Sequence, residues 1–221
     1  MNKLTEQLAN YLLEDERFTN FKLRKSDSTI INKQSTGYEK VELQNWIDTS
    51  YSTGKSELVI HPVYLKRFHV LHKWFERFSF KAISDQRDAY TIGFDGLMLG
   101  KKNEYHFSTT DDVSVDWESF RTDVVTNATY VFNKFNSLED LYNYLVSPVI
   151  AGEKELPNIG ADWVFEYLYL TRIVDEKNYG RVKQLILNRI DEMNGRGEPN
   201  IERYYKDISK ILEYLENEVP T

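Results

Sequence analysis

Three of the chain's four histidines fall in one stretch, HPVYLKRFHVLHKWFERF, residues 61 to 78, together with Glu76 and several cations. Imidazole and carboxylate groups bind transition metals and exchange protons near neutral pH, so their spacing is the first question. His69, His72 and Glu76 stand at i, i+3 and i+7. On a helix these three share a face, and folding can add His61 or His106. The enzymatic reading is therefore a metal-dependent or general acid/base hydrolase. Against it, the spacing is not the H-E-x-x-H signature, Lys66, Lys73 and Arg77 flank the set, and a solvated helix face offers no water-excluded cavity.

If residues 64 to 78 are helical, a helical wheel separates the stretch into two faces. Tyr64, Phe68, Leu71, Trp74, Phe75 and Phe78 gather within about 120° of arc as a core-facing stripe. Lys66, His69, His72, Lys73, Glu76 and Arg77 then form an outward face. That face reads as solvated or partner-binding, with no catalytic residue and no metal or other cofactor assigned. The basic run Lys66, Arg67, Lys73, Arg77 and Lys81 suits an acidic protein partner as a docking patch.

Other motifs carry less. Gly54-Lys55-Ser56 ends like a phosphate-binding loop, but Thr49 stands where the loop's first glycine belongs. Asn127-Ala128-Thr129 matches a glycosylation sequon inside an expected helix. Asp111/Asp112 and Glu14/Asp15/Glu16 are paired carboxylates in polar turns, where solvated charge is the ordinary explanation. The chain has no cysteine, which excludes disulfides, thiol nucleophiles and cysteine-ligated metal centres.

These residues must be positioned by a fold of α+β class. Leu4, Leu8, Tyr11 and Leu12 predict an opening amphipathic helix. Residues 20 to 65 predict four strands of an antiparallel meander, with Pro62 expected to end the fourth ladder. Apolar alternation on both sides of Asp95-Gly96 predicts a hairpin that completes a sheet of five to six strands.

Beyond Asp112 the pattern is helical: a long helix through Trp117 and Phe135, then a short one opened by a Ser137/Asp140 capping box. Three more follow, at about 161 to 174, 178 to 193 and 200 to 217. The Pro- and Gly-bearing connector 147 to 160 marks the expected boundary. Residues 1–146 then form a sheet domain with N-terminal and central helices, and 147–221 a C-terminal helical bundle packed on it.

With 28 Lys+Arg against 35 Asp+Glu, the net charge of −7 disfavours nucleic acid and anionic membranes as partners. No segment has the apolar run of a membrane span, and the acidic N-terminal stretch lacks a signal peptide's core, so a cytoplasmic location is expected.

The order of pieces resembles a family of small bacterial α+β proteins, one of the domain-of-unknown-function families, some of whose members are thought to serve as immunity proteins in toxin systems. The resemblance rests on Gln44 within VELQ, the YTIGF strand and the FNKFNSLEDL junction, and covers about residues 4 to 146. It carries no catalytic residues and implies binding in place of catalysis. Three functional expectations stand: a non-catalytic protein-binding module neutralising a toxin, the His/Glu hydrolase, and an adaptor subunit of an assembly. The oligomeric state is not legible.

Overall fold

The computed structural model describes residues 2–50, 54–79, 81–108, 115–156, 162–198 and 201–219. In chain order its strands are β1 (Lys22–Arg24), β2 (Thr29–Gln34), β3 (Gly37–Thr49), β4 (Ser56–Phe68), β5 (Ile92–Asp95) and β6 (Tyr105–Ser108). The helices begin with α1 (Lys3–Leu13), α2 (His69–Lys73), α3 (Ile83–Asp88) and α4 (Val115–Lys134). They continue with α5 (Leu138–Leu145), α6 (Ser147–Ala151), α7 (Asp162–Val174), α8 (Glu176–Gly195) and α9 (Ile201–Asn217). The α+β class, the antiparallel meander and the C-terminal helices are as the sequence predicts. The Asp111/Asp112 pair, Pro199 and the side chains of Trp163, Val164 and Tyr204 lie outside the described residues.

The chain divides into two compact units. The first comprises Met1–His69 and Tyr90–Lys134, and the second Val70–Ala89 and Phe135–Thr221.

In the first unit the sheet runs β1-β2-β3-β4, and β4 carries both β5 and β6 on its far edge. Thirteen residue pairs join β3 to β4, from Gly37↔Phe68 to Thr49↔Ser56. Paired residues share a face, so Val41, Tyr64 and Phe94 point inward with Ile60, Tyr105 and Phe107. Helix α4 closes this face. Phe120 lies edge-on to Tyr105 and Phe107, Asn127 donates to the Tyr64 hydroxyl (3.4 Å), and Tyr105 donates to Asp123 (3.0 Å). Asn127 is therefore buried against Tyr64, and the sequon is not displayed.

Two expectations are corrected here. The helix predicted from residue 64 begins only at His69, because β4 continues through Phe68. Tyr64 and Phe68 satisfy a period of two as well as they satisfy a helical stripe, and pairing of β4 with Gly37 to Val41 decides between them. Lys66 is consequently not on an outward face. Its ammonium is buried, 2.9 Å from Glu39 Oε1, and donates to the Phe132 carbonyl in the last turn of α4 (3.0 Å). That contact satisfies a carbonyl at the negative end of the helix.

Asp95-Gly96, against expectation, does not turn a hairpin. β5 pairs with Val63–Lys66 and β6 with Glu57–Ile60, so the two are successive pieces of one edge strand, parted by the loop 96–104. Pro62 explains the break. In the strand's alternation its nitrogen faces the β5/β6 edge, and proline brings no N–H to that edge. Proline thus interrupts the neighbouring strand and leaves its own strand continuous.

The second unit is built around aromatic stacking. Trp74 stacks on Tyr169 at 5.0 Å between ring centroids, Phe75 stacks on Phe165 at 5.0 Å, and the Arg77 guanidinium lies 4.0 Å over Tyr214. The Ser137/Asp140 capping box opens α5, and Gly197, with φ of +68°, follows the end of α8. Asn178 and Tyr142 both hydrogen-bond Asp175 and hold its carboxyl below the ordinary value.

Lys66→Ala leaves Glu39 in a half-buried site without its ammonium, and the expected cost is about 3 kcal/mol in urea denaturation. Lys66→Met, which refills the volume but also strands the carboxylate, is expected to cost nearly as much.

Burial raises the pKa of Tyr64, and burial with the Asp123 bond raises that of Tyr105. The unfolded chain therefore loses these phenol protons first. Their contribution is intact below the ordinary value of 10.0 and declines as pH rises above it, by about 1.4 kcal/mol per pH unit for each tyrosine. Denaturation titrated between neutral and strongly basic pH checks this.

Candidate functional site

The residues singled out around the histidine stretch are not brought together as one site. Arg67 donates from Nε to His69 Nδ1 at 3.2 Å, and burial followed by the Arg67 charge holds the His69 pKa below its ordinary value. His72 Nδ1 lies 3.4 Å from Glu166 Oε1, both side chains being largely buried. Lys73, Glu76 and Arg77 are exposed, Arg77 lying 3.6 Å from Glu218. His69 and His72 sit on α2 and Glu76 on the following 3-10 turn. Among the described residues no group of three or more His, Cys, Asp or Glu side chains is placed to hold a metal ion.

A different cluster forms at the end of the sheet where β3 and β4 outrun β2. β2 covers β3 only from Gly37 to Glu42, so residues 44 to 49 project with β4 on one side alone. On the outer face of this projection Gln44 pairs with His61, Trp46 with Val59, and Asp48 with Glu57. Trp46 is 41% exposed, although tryptophan is among the side chains that gain most from burial. Asp48 and Glu57 are carboxylates set directly opposite each other, an arrangement that destabilises a strand pair.

His106 of β6 joins the same face. Its Nδ1 lies 3.3 Å from Glu57 and its Nε2 4.0 Å from Glu104. Further along, Lys40 lies 3.4 Å from Glu42, which also accepts from Gln44 (3.3 Å).

His61 stands beside the break in the edge strand and braces the loop that leaves there. Its Nε2 faces Asp95 at 3.7 Å and its Nδ1 meets Asn103 Nδ2 at 3.3 Å. Both ring nitrogens of His61 thus face residues of the loop stem. The same two partners tie the loop internally, because Asp95 accepts from the Met98 amide (2.8 Å) and Asn103 from the Leu97 amide (3.3 Å). The loop is thus bonded to itself while presenting Leu97 and Met98, 74% and 64% exposed. Gly96 is required at its base, where an added Cβ would lie 2.0 Å from the Lys102 carbonyl oxygen.

The outer face therefore carries Glu42, Asp48, Glu57, Asp95 and Glu104 around His61, His106 and an exposed tryptophan. Sequence reasoning missed Trp46, Asp48, Glu57, Asp95 and Asn103. One signal was present: Asn45 breaks the inward apolar series of Val41 and Leu43, while β-favouring residues continue through Trp46, Ile47 and Thr49.

The Gly54-Lys55-Ser56 segment closes the β3–β4 hairpin, with Gly54 N–H bonded to the Ser50 carbonyl, and β4 follows it where a phosphate-binding loop needs a helix. Comparison with family models, with curated proteins and with solved structures finds no match.

Gly96→Ala is expected to open the loop at a cost of about 1 to 3 kcal/mol, from overpacking against backbone. Hydrogen exchange should then quicken at the Met98 and Lys101 amides while the β3–β4 ladder keeps its protection.

Proposed function

We propose that the chain is a non-catalytic protein-binding module whose partner is a basic protein, with neutralisation of a toxin as the biological form of that binding. The observation that carries this reading is the exposed Trp46 set among carboxylates, two of which, Asp48 and Glu57, are opposed across the strand pair. Tryptophan is among the residues enriched at binding hot spots, and interface rims are polar. Cationic groups of a partner relieve the Asp48/Glu57 repulsion and pack on the indole face.

The overall charge of −7 acts in the same direction, steering a basic protein toward the chain. The resemblance, in VELQ, YTIGF and FNKFNSLEDL, to a family some of whose members are thought to be immunity proteins is further support. For a nuclease toxin, whose cleft is built for phosphate, an acidic surface of this kind is a fitting competitor. No helix of the described residues is long and apolar enough to cross a membrane.

Affinity capture from the native host, with the wild-type chain and Trp46→Ala as baits, tests the reading. The wild type should retain a stoichiometric basic protein, less of it as salt rises. Trp46→Ala should weaken binding by about 2 kcal/mol, roughly thirtyfold. Loss of the reading would follow if capture were equal for the two baits, or if the captured protein were acidic.

A further inference from the structure

The same projection exposes backbone as well as side chains. Leu43 N–H is bonded to the Ser28 carbonyl on the β2 side, so in antiparallel alternation Asn45 and Ile47 also turn their N–H and C=O groups that way, past the end of β2. Among the described residues these groups have no backbone partner. The neighbouring positions are closed: the Leu43 carbonyl accepts from the Asn45 side chain (2.8 Å), and the Thr49 amide donates to Asp48 (2.7 Å). What remains is a short open edge centred on Ile47, itself 54% exposed.

From this the geometry points to strand addition as the binding mode: an extended basic segment of the partner pairs with β3 along Asn45–Ile47 and extends the sheet. The inference rests on the basic-partner reading above and adds its chemistry. On the outer face the added strand's side chains lie beside Trp46 and Asp48, which favour cations by the indole face and by charge. On the inner face they lie beside Ile47, which favours an apolar group. The matching sequence therefore alternates cationic and apolar residues. A second copy of this chain fits poorly, because antiparallel pairing about Ile47 sets Asp48 beside Trp46 and supplies no cation. From Gln44 to Thr49 β3 carries neither lysine nor proline, two of the residues that most often blunt a strand edge.

The probe is a synthetic peptide of alternating lysine and valine, titrated into the full chain by calorimetry and by amide hydrogen exchange. Saturable binding is expected, with exchange slowed at Asn45 and Ile47 and unchanged at Trp46, whose amide already faces β4. Ile47→Pro, which removes an outward N–H, should weaken binding at least tenfold. The same peptide N-methylated on alternate residues should fail against the unaltered protein, which keeps the test independent of the variant's folding. Equal binding of the N-methylated peptide, or of one with its lysines and valines in separate blocks, would overturn strand addition while leaving the acidic-face reading intact. Absence of binding would overturn it too, as would edge-dependent self-association of the chain that Ile47→Pro abolishes.

Discussion

The length of the β3–β4 ladder is the constraint from which the rest of the first unit follows. Thirteen consecutive pairs hold these strands together, yet neither outer edge is matched along its full length. β2 supplies six pairs and stops, which leaves the far half of β3 with an open edge. On the other side Pro62 withholds an N–H, and the covering strand splits into β5 and β6 with a self-bonded loop between them. The exposed edge, the exposed loop and the acidic outer face all lie where a long ladder meets shorter neighbours.

The near half of the same ladder is fixed from inside. Lys66 joins three elements at once, pairing with Glu39 of β3 and closing the carbonyl end of α4 from β4. Tyr64 binds the same helix through Asn127. The well-bonded half anchors the sheet, and the other half keeps the like-charged Asp48/Glu57 pair and an exposed indole. Along β3 the well-bonded end and the end proposed for binding are thus opposite, while the inner side of β4 stays buried at both, Leu58 and Ile60 included.

Much of this architecture was legible in the sequence, for local reasons. The meander, the opening helix, the Ser137/Asp140 box and the Gly197 helix end are written in neighbouring residues, and they stand where the pattern puts them. What depended on partners far along the chain was not legible. Tyr64 to Phe68 fit two periods, and only β3 chooses the strand. Lys66 looked solvated because lysine usually is, and its partner Glu39 is 27 residues away. Asp95-Gly96 carries a hairpin signature, but the returning strand pairs with β4, a choice set by the gap at Pro62. The candidate site was hidden for the same reason. Trp46, Asp48, Glu57, His61 and His106 come from three strands, and only the pairing register sets them on one face.

The central claim is that the outer face at the open end of the sheet, and not the exposed Lys73, Glu76 and Arg77, meets the partner. Hydroxyl-radical footprinting of the chain, alone and in complex with its captured partner, measures this directly. The account predicts protection at Trp46 and Ile47, with Tyr130, exposed on α4, unchanged. Protection confined to residues 73 to 77, with Trp46 labelled equally in both samples, would contradict it.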